Sequence, residues 1–235
     1  MTEKSMALSA LVVQHPPQAA QLVLMFHGEF TTARAMLPCA QALAATFPQA
    51  MVACIEAPYA AADESRRQWW PETDSVPDED AWQALVREAM APFLQTIAYW
   101  QKASGVGPEA TALVGFGQGA TLVLESTQVK PAPASRVMAI AGRFADLPED
   151  DRYRGTIHFL HGKNDATVPY QYTLEAAYHL RDMGMDLTAK VIPLVGHELH
   201  PEFVEATVQQ LSQHISRHLL IEAGQSAQPP AQQAE

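Results

Sequence analysis

The chain has 235 residues, 48% of them hydrophobic, a size and composition that suit one large buried core. Its formal net charge of -11, with Lys and Arg numbering 15, excludes the clustered cations that a nucleic-acid backbone requires of its partner. The only cysteines, Cys39 and Cys54, fall in a helical and a strand pattern and imply no disulfide framework. The start Met1-Thr2-Glu3-Lys4 lacks the basic region of a signal peptide, and no apolar stretch is long enough to span a membrane, so the expected setting is cytoplasmic.

In chain order, Ala7 to Gln14 reads as an edge strand, and His15-Pro16-Pro17 turns the chain. Leu22-Val23-Leu24-Met25-Phe26 is a continuous apolar run, the pattern of a strand covered on both faces, and it ends at His27-Gly28-Glu29-Phe30. A helix from Thr32 to Thr46 and a buried strand from Met51 to Ile55 establish βαβ alternation. The stretch from Ala60 to Asp78 has no period but holds the adjacent Trp69 and Trp70, which predicts an ordered loop in which either indole lines a pocket or anchors the loop to the core. Trp82, Leu85, Val86, Met90, Phe93, Leu94, Ile97 and Trp100 form the stripe of a helix over Asp80 to Lys102, with Pro92 inside it.

The sequence then reaches Leu113-Val114-Gly115-Phe116-Gly117-Gln118-Gly119, where a short apolar strand enters a glycine-spaced turn and a helix follows to about Thr127. Strands are predicted at Val137 to Ala141, Thr156 to Leu160 and Leu187 to Ile192. Helices are predicted at Tyr170 to Met183 and Pro201 to Ile221. The fold class is therefore α/β, a doubly wound, mostly parallel sheet in a three-layer sandwich, with one domain over residues 1–222. The Gln-, Ala- and Pro-rich residues 223–235 read as a disordered tail.

In such sheets ligands bind beyond the carboxyl ends of the strands. Gly117, Asp165 and His197 all fall there, in the chain order nucleophile, acid, histidine that belongs to a hydrolase triad. The turn at Gly117 has the strand–elbow–helix context that presents a nucleophile. Asp165 would fix the tautomer of His197 and stabilise its protonated form. Thr121 and Ser126 lie too far along the helix to replace a nucleophile, and neither cysteine is at a strand end. His197 and His200 with Glu198 and Glu202 do not have metal-binding spacing, so neither a metal nor a cofactor is expected.

The chain resembles the phospholipase/carboxylesterase family of α/β-hydrolases, and within it the bacterial YpfH-type esterases. The resemblance rests on Leu24-Met25-Phe26-His27-Gly28, Arg67-Gln68-Trp69, Tyr99-Trp100-Gln101-Lys102, Ser104-Gly105-Val106-Gly107, Gly115-Phe116 with Gln118-Gly119, His161-Gly162 with Asp165, and Gly196-His197. It implies the α/β-hydrolase fold, a carboxylic-ester substrate, Asp165 and His197 as acid and base, and the backbone amides of Glu29 and Gln118 as the oxyanion hole. Phe30, Trp69 and Trp70 are the candidate substrate-binding residues. Two positions depart from the family: Gly117 stands where the pattern has serine, and His27-Gly28-Glu29-Phe30-Thr31 replaces a His-Gly-x-Gly-Asp loop. The first removes the attacking atom, and the second puts a carboxylate beside the place where an oxyanion would form unless Glu29 turns outward. Two function classes stay open, an esterase by descent with very low activity and an inactive binder of a small ester or acyl ligand. A homodimer is also left open.

Overall fold

The computed structural model describes residues 8–62, 64–73 and 75–214; the expected tail at 223–235 and the end of the last predicted helix lie outside these. Seven strands form the central sheet: β1 (Ala10–Gln14), β2 (Gln21–Phe26), β3 (Ala50–Ile55), β6 (Thr111–Phe116), β7 (Arg136–Ile140), β8 (Thr156–Gly162) and β9 (Asp186–Ile192). Their spatial order is β1-β3-β2-β6-β7-β8-β9, with only β1 antiparallel to its neighbour. Two two-residue strands, β4 (Tyr59–Ala60) and β5 (Arg67–Gln68), pair within the long loop. The helices are α1 (Leu37–Thr46), α2 (Glu79–Ser104), α3 (Gln118–Glu125), α4 (Gln171–Asp182) and α5 (Pro201–Gln213).

The apolar strands are buried on both faces, and their alternate residues divide between two cores. Leu22, Leu24 and Phe26 of β2 and Met51, Ala53 and Ile55 of β3 face the core beneath α2, α3 and α4. Val23, Met25, Val52 and Cys54 face the core beneath α1 and α5. The result is three layers, helix on sheet on helix, the class expected for βαβ alternation.

The predicted helix Asp80 to Lys102 is longer in the structure because both ends are capped. Asp78 accepts the Ala81 N–H at 2.9 Å, Glu79 and Asp80 occupy the first turn, and Gly105 closes the far end with φ 72°. After β2 the chain builds β3 on one side, then crosses through α2 to lay β6 on the other. That reversal opens a crevice at the carboxyl ends of β2 and β6, where the Glu29 and Gly117 loops face each other.

Candidate active site

β6 ends at Phe116 and α3 begins at Gln118, so Gly117 alone makes the turn, with φ 53° and ψ -119°. That left-handed φ favours glycine. The helix leaves the turn pressed against two strands: a Cβ on Gly119 would stand 2.3 Å from the Phe26 carbonyl oxygen, and one on Gly115 2.3 Å from the Gly119 carbonyl oxygen. Glycine at both positions is what lets the α3 backbone come this close.

Beyond β8, the Asp165 carboxylate is buried and accepts three hydrogen bonds. Oδ1 takes the N–H groups of Thr167 and Val168 at 2.9 and 2.8 Å, and Oδ2 takes Nδ1–H of His197 at 2.7 Å. This fixes the imidazole tautomer and leaves Nε2 as the basic face. Nε2 is buried without a hydrogen-bond partner, 3.3 Å from where a Cβ on Gly117 would stand, and the ring rests on Phe116 at 4.9 Å between centroids.

The loop after β2 supplies the feature that the sequence left open: Glu29 turns inward. Its Oε2 accepts the Gln118 N–H at 3.1 Å and stands 2.7 Å from the position of a Cβ on Gly117, while Oε1 lies 3.9 Å from His197 Nε2. The carboxylate therefore fills the space that a side chain at position 117 would use, and it occupies one of the two amides expected to form an oxyanion hole. The two departures from the family pattern meet in one place. Phe30, the next residue, holds a positive φ of 53° and is 48% exposed.

Two histidines that the sequence placed in the motifs His27-Gly28 and His161-Gly162, without giving either a role of its own, brace these loops. His27 is buried; Nδ1 donates to the Gly28 carbonyl at 2.7 Å and Nε2 accepts the Ala57 N–H at 3.0 Å. His161 is buried with Nε2 donating to the Val168 carbonyl at 2.8 Å and Nδ1 accepting from Thr173 Oγ1 at 2.8 Å. Burial pushes both pKa values below the ordinary histidine value, partly opposed by these carbonyls and by Glu56 and Asp165. Their only sequence signal is a histidine before glycine at the end of a buried strand.

The tryptophan pair divides. Trp69 does not line the cleft: it is 2% exposed, its ring packs against Phe26 and Phe93 at 5.5 and 6.1 Å, and its Nε1 donates to the His27 carbonyl at 2.7 Å. The Trp69 N–H also donates to Gln118 Oε1 at 2.8 Å, which ties the long loop to the elbow. Trp70 faces a cleft of about 210 Å³ together with Phe30, Gln68, Val76, Leu85 and Gln118. A larger cleft of about 430 Å³, whose walls include Gln128, Asp146, Asp150 and Tyr153, contains none of these residues. Among the described residues, no group of three His, Cys, Asp or Glu side chains is placed to hold a metal ion, and no helix is long and apolar enough to cross a membrane.

Comparison with known proteins bears on this arrangement. Residues 8–219 match the family described as Phospholipase/Carboxylesterase. The chain is 37% identical over 219 residues to Esterase YpfH of Escherichia coli (strain K12), covering 93% of this chain and 94% of that protein. Among solved structures, esterase PE8 superposes with a TM-score of 0.79 at 23% identity, over 87% of this chain and 97% of that one. The Bacillus cereus carboxylesterase superposes with a TM-score of 0.70 at 13% identity, over 86% and 92%. These two likenesses are of fold.

Proposed function

The chain belongs to the phospholipase/carboxylesterase family, and from that premise we propose that it carries a carboxylic-ester hydrolase site whose elbow has lost its attacking hydroxyl, so that ester turnover by this chain is very low. In this reading Gly117 marks the nucleophile position, Asp165 and His197 are acid and base, and the amides of Glu29 and Gln118 are the oxyanion donors. The observation that carries it is the vacant side-chain position at Gly117, 3.3 Å from His197 Nε2 and closed by Glu29 Oε2. Removing the nucleophile of a hydrolase costs about a million-fold in turnover. The carboxylate on the Gln118 amide adds a second obstacle, because it occupies a donor meant for a developing oxyanion.

The test is steady-state hydrolysis of a short-chain p-nitrophenyl ester by the unmodified chain, by Gly117→Ser, and by Gly117→Ser combined with Glu29→Val and Phe30→Gly. We expect negligible activity in the first, little in the second because the Glu29 carboxylate holds the Gln118 N–H that an oxyanion needs, and a rise of roughly a thousand-fold or more in the third. High activity in the unmodified chain would refute the reading. No activity in the third would mean that Asp165 and His197 are not a poised pair.

The cleft beside Gln118, lined by Trp70, Phe30 and Leu85, favours a second reading, an inactive binder of a small ester or acyl ligand. Free, buried Cys39 and Cys54 support a reducing, cytoplasmic setting.

A further inference from the structure

We propose that Glu29 is itself a nucleophile: its carboxylate displaces a leaving group from the saturated carbon of a short alkyl electrophile, and the Asp165–His197 pair then directs water at the resulting Glu29 ester. This goes beyond the ester reading and rests on it only for the Asp165–His197 pair in the second step; the displacement by Glu29 stands or falls separately.

The argument begins with what the occupied amide permits. An acyl substrate needs a vacant donor for the charge that forms on its own carbonyl oxygen, and Glu29 Oε2 already holds the Gln118 N–H at 3.1 Å. Displacement at a saturated carbon puts the developing negative charge on the departing halide rather than on a carbonyl oxygen, so it does not require the Gln118 N–H to be vacated. It requires a free carboxylate oxygen and an open approach through which the halide leaves to solvent. Oε1 is that oxygen. It stands 3.9 Å from His197 Nε2, beyond hydrogen-bond distance, on a side chain 20% exposed. The cleft walled by Phe30, Trp70 and Leu85 adjoins Gln118 and offers about 210 Å³ for an alkyl group.

In the first step the Oε1–carbon bond forms as the carbon–halogen bond breaks, and the electron pair leaves with the halide. The product is an ester whose carbonyl oxygen, Oε2, already lies on the Gln118 amide. Water then gives a proton to His197 Nε2 while its oxygen bonds to Cδ of Glu29, and the negative charge forms on Oε2 against that same N–H. Collapse breaks the Cδ–Oε1 bond. The departing alkoxide takes the proton from His197 and leaves as the alcohol. Glu29 is restored with one oxygen from water, and one proton passes to solvent. Carboxylate side chains form covalent intermediates of this kind. Gly117 fits the same scheme, since a Cβ there would stand 2.7 Å from Oε2 and 3.3 Å from His197 Nε2, in the space where the ester and its attacking water must lie.

The experiment uses the full chain with n-butyl bromide, following bromide release, protein mass and incorporation from heavy-oxygen water. We expect bromide release to fall by about a hundredfold or more in Glu29→Gln, well within the cost of removing a hydrolase nucleophile. His197→Phe, which keeps the nucleophile and loses the base, should accumulate one butyl group on the peptide that contains Glu29. The unmodified chain should gain heavy oxygen at Glu29 only while bromide is being released. Equal bromide release by the unmodified chain and Glu29→Gln would overturn the proposal, as would butylation of His197→Phe confined to residues other than Glu29.

Discussion

Glu29 Oε2 and a Cβ on Gly117 cannot both keep their places, because they would stand 2.7 Å apart. The carboxylate is the far end of a flexible side chain and can swing away, but the backbone at 117 cannot relax so easily. Its φ of 53° costs a residue with a side chain about 1–2 kcal/mol. Gly117→Ser should therefore unfold at a lower urea concentration than the parent by an amount equivalent to about 1–2 kcal/mol. Adding Glu29→Val should recover the part due to the contact and leave the part due to φ. Equal stability of Gly117→Ser and the parent would show that the turn is not strained. At this scale chain order and strand ends, which are properties of the backbone path, were enough to expect Gly117, Asp165 and His197 near one another, as they stand in the structure. It left the direction of Glu29 open, because a rotamer on a loop is decided by neighbours from other parts of the chain, here Gln118 and His197.

The strands and helices were legible to within a few residues, since apolar runs and helical stripes report burial directly. The pair β4 and β5 was not: two residues per strand carry no period, and β5 is also bridged, through Arg67, to Thr31 of a distant loop. Trp69 and Trp70 illustrate the same limit. Adjacent residues leaving a two-residue strand point to opposite sides, so one indole enters the core and the other meets the cleft, and composition alone does not say which. Trp69→Phe leaves the buried His27 carbonyl without its donor, 2.7 Å away in the parent. It should cost about 1–3 kcal/mol in denaturant unfolding. A ligand in the cleft should quench fluorescence that persists in Trp69→Phe and is lost in Trp70→Phe. The reverse pattern would place the ligand elsewhere.

Across the whole molecule, buried titratable groups set opposing dependences on pH. Burial, reinforced by His214 and Arg136 and opposed by Asp186, pushes His158 down to about 3 from 6.5. Burial lowers His27 and His161 as well. For each, the unfolded chain binds a proton that the folded one refuses, so this stability is complete above the ordinary histidine value and is lost as pH falls below it. Glu125 acts in the other direction. Burial raises it from 4.5 to about 7 despite hydrogen bonds from the Ala145 and Asp146 amides, so its contribution is complete at low pH and lost as pH rises through about 7. Three lowered histidines outweigh one raised glutamate between about pH 6.5 and pH 5, so the protein should lose stability on acidification in that range. His158 alone accounts for roughly 2 kcal/mol of the loss by about pH 5. Urea unfolding near pH 5 and near pH 8 tests the assignment. His158→Gln, which keeps an acceptor for Thr188 Oγ1 in place of Nδ1 at 2.8 Å, should narrow the gap between the two conditions. Glu125→Gln should widen it, because it removes the group that loses stability toward alkaline pH. If neither variant changes the gap, these buried groups do not set the acid limit of the fold.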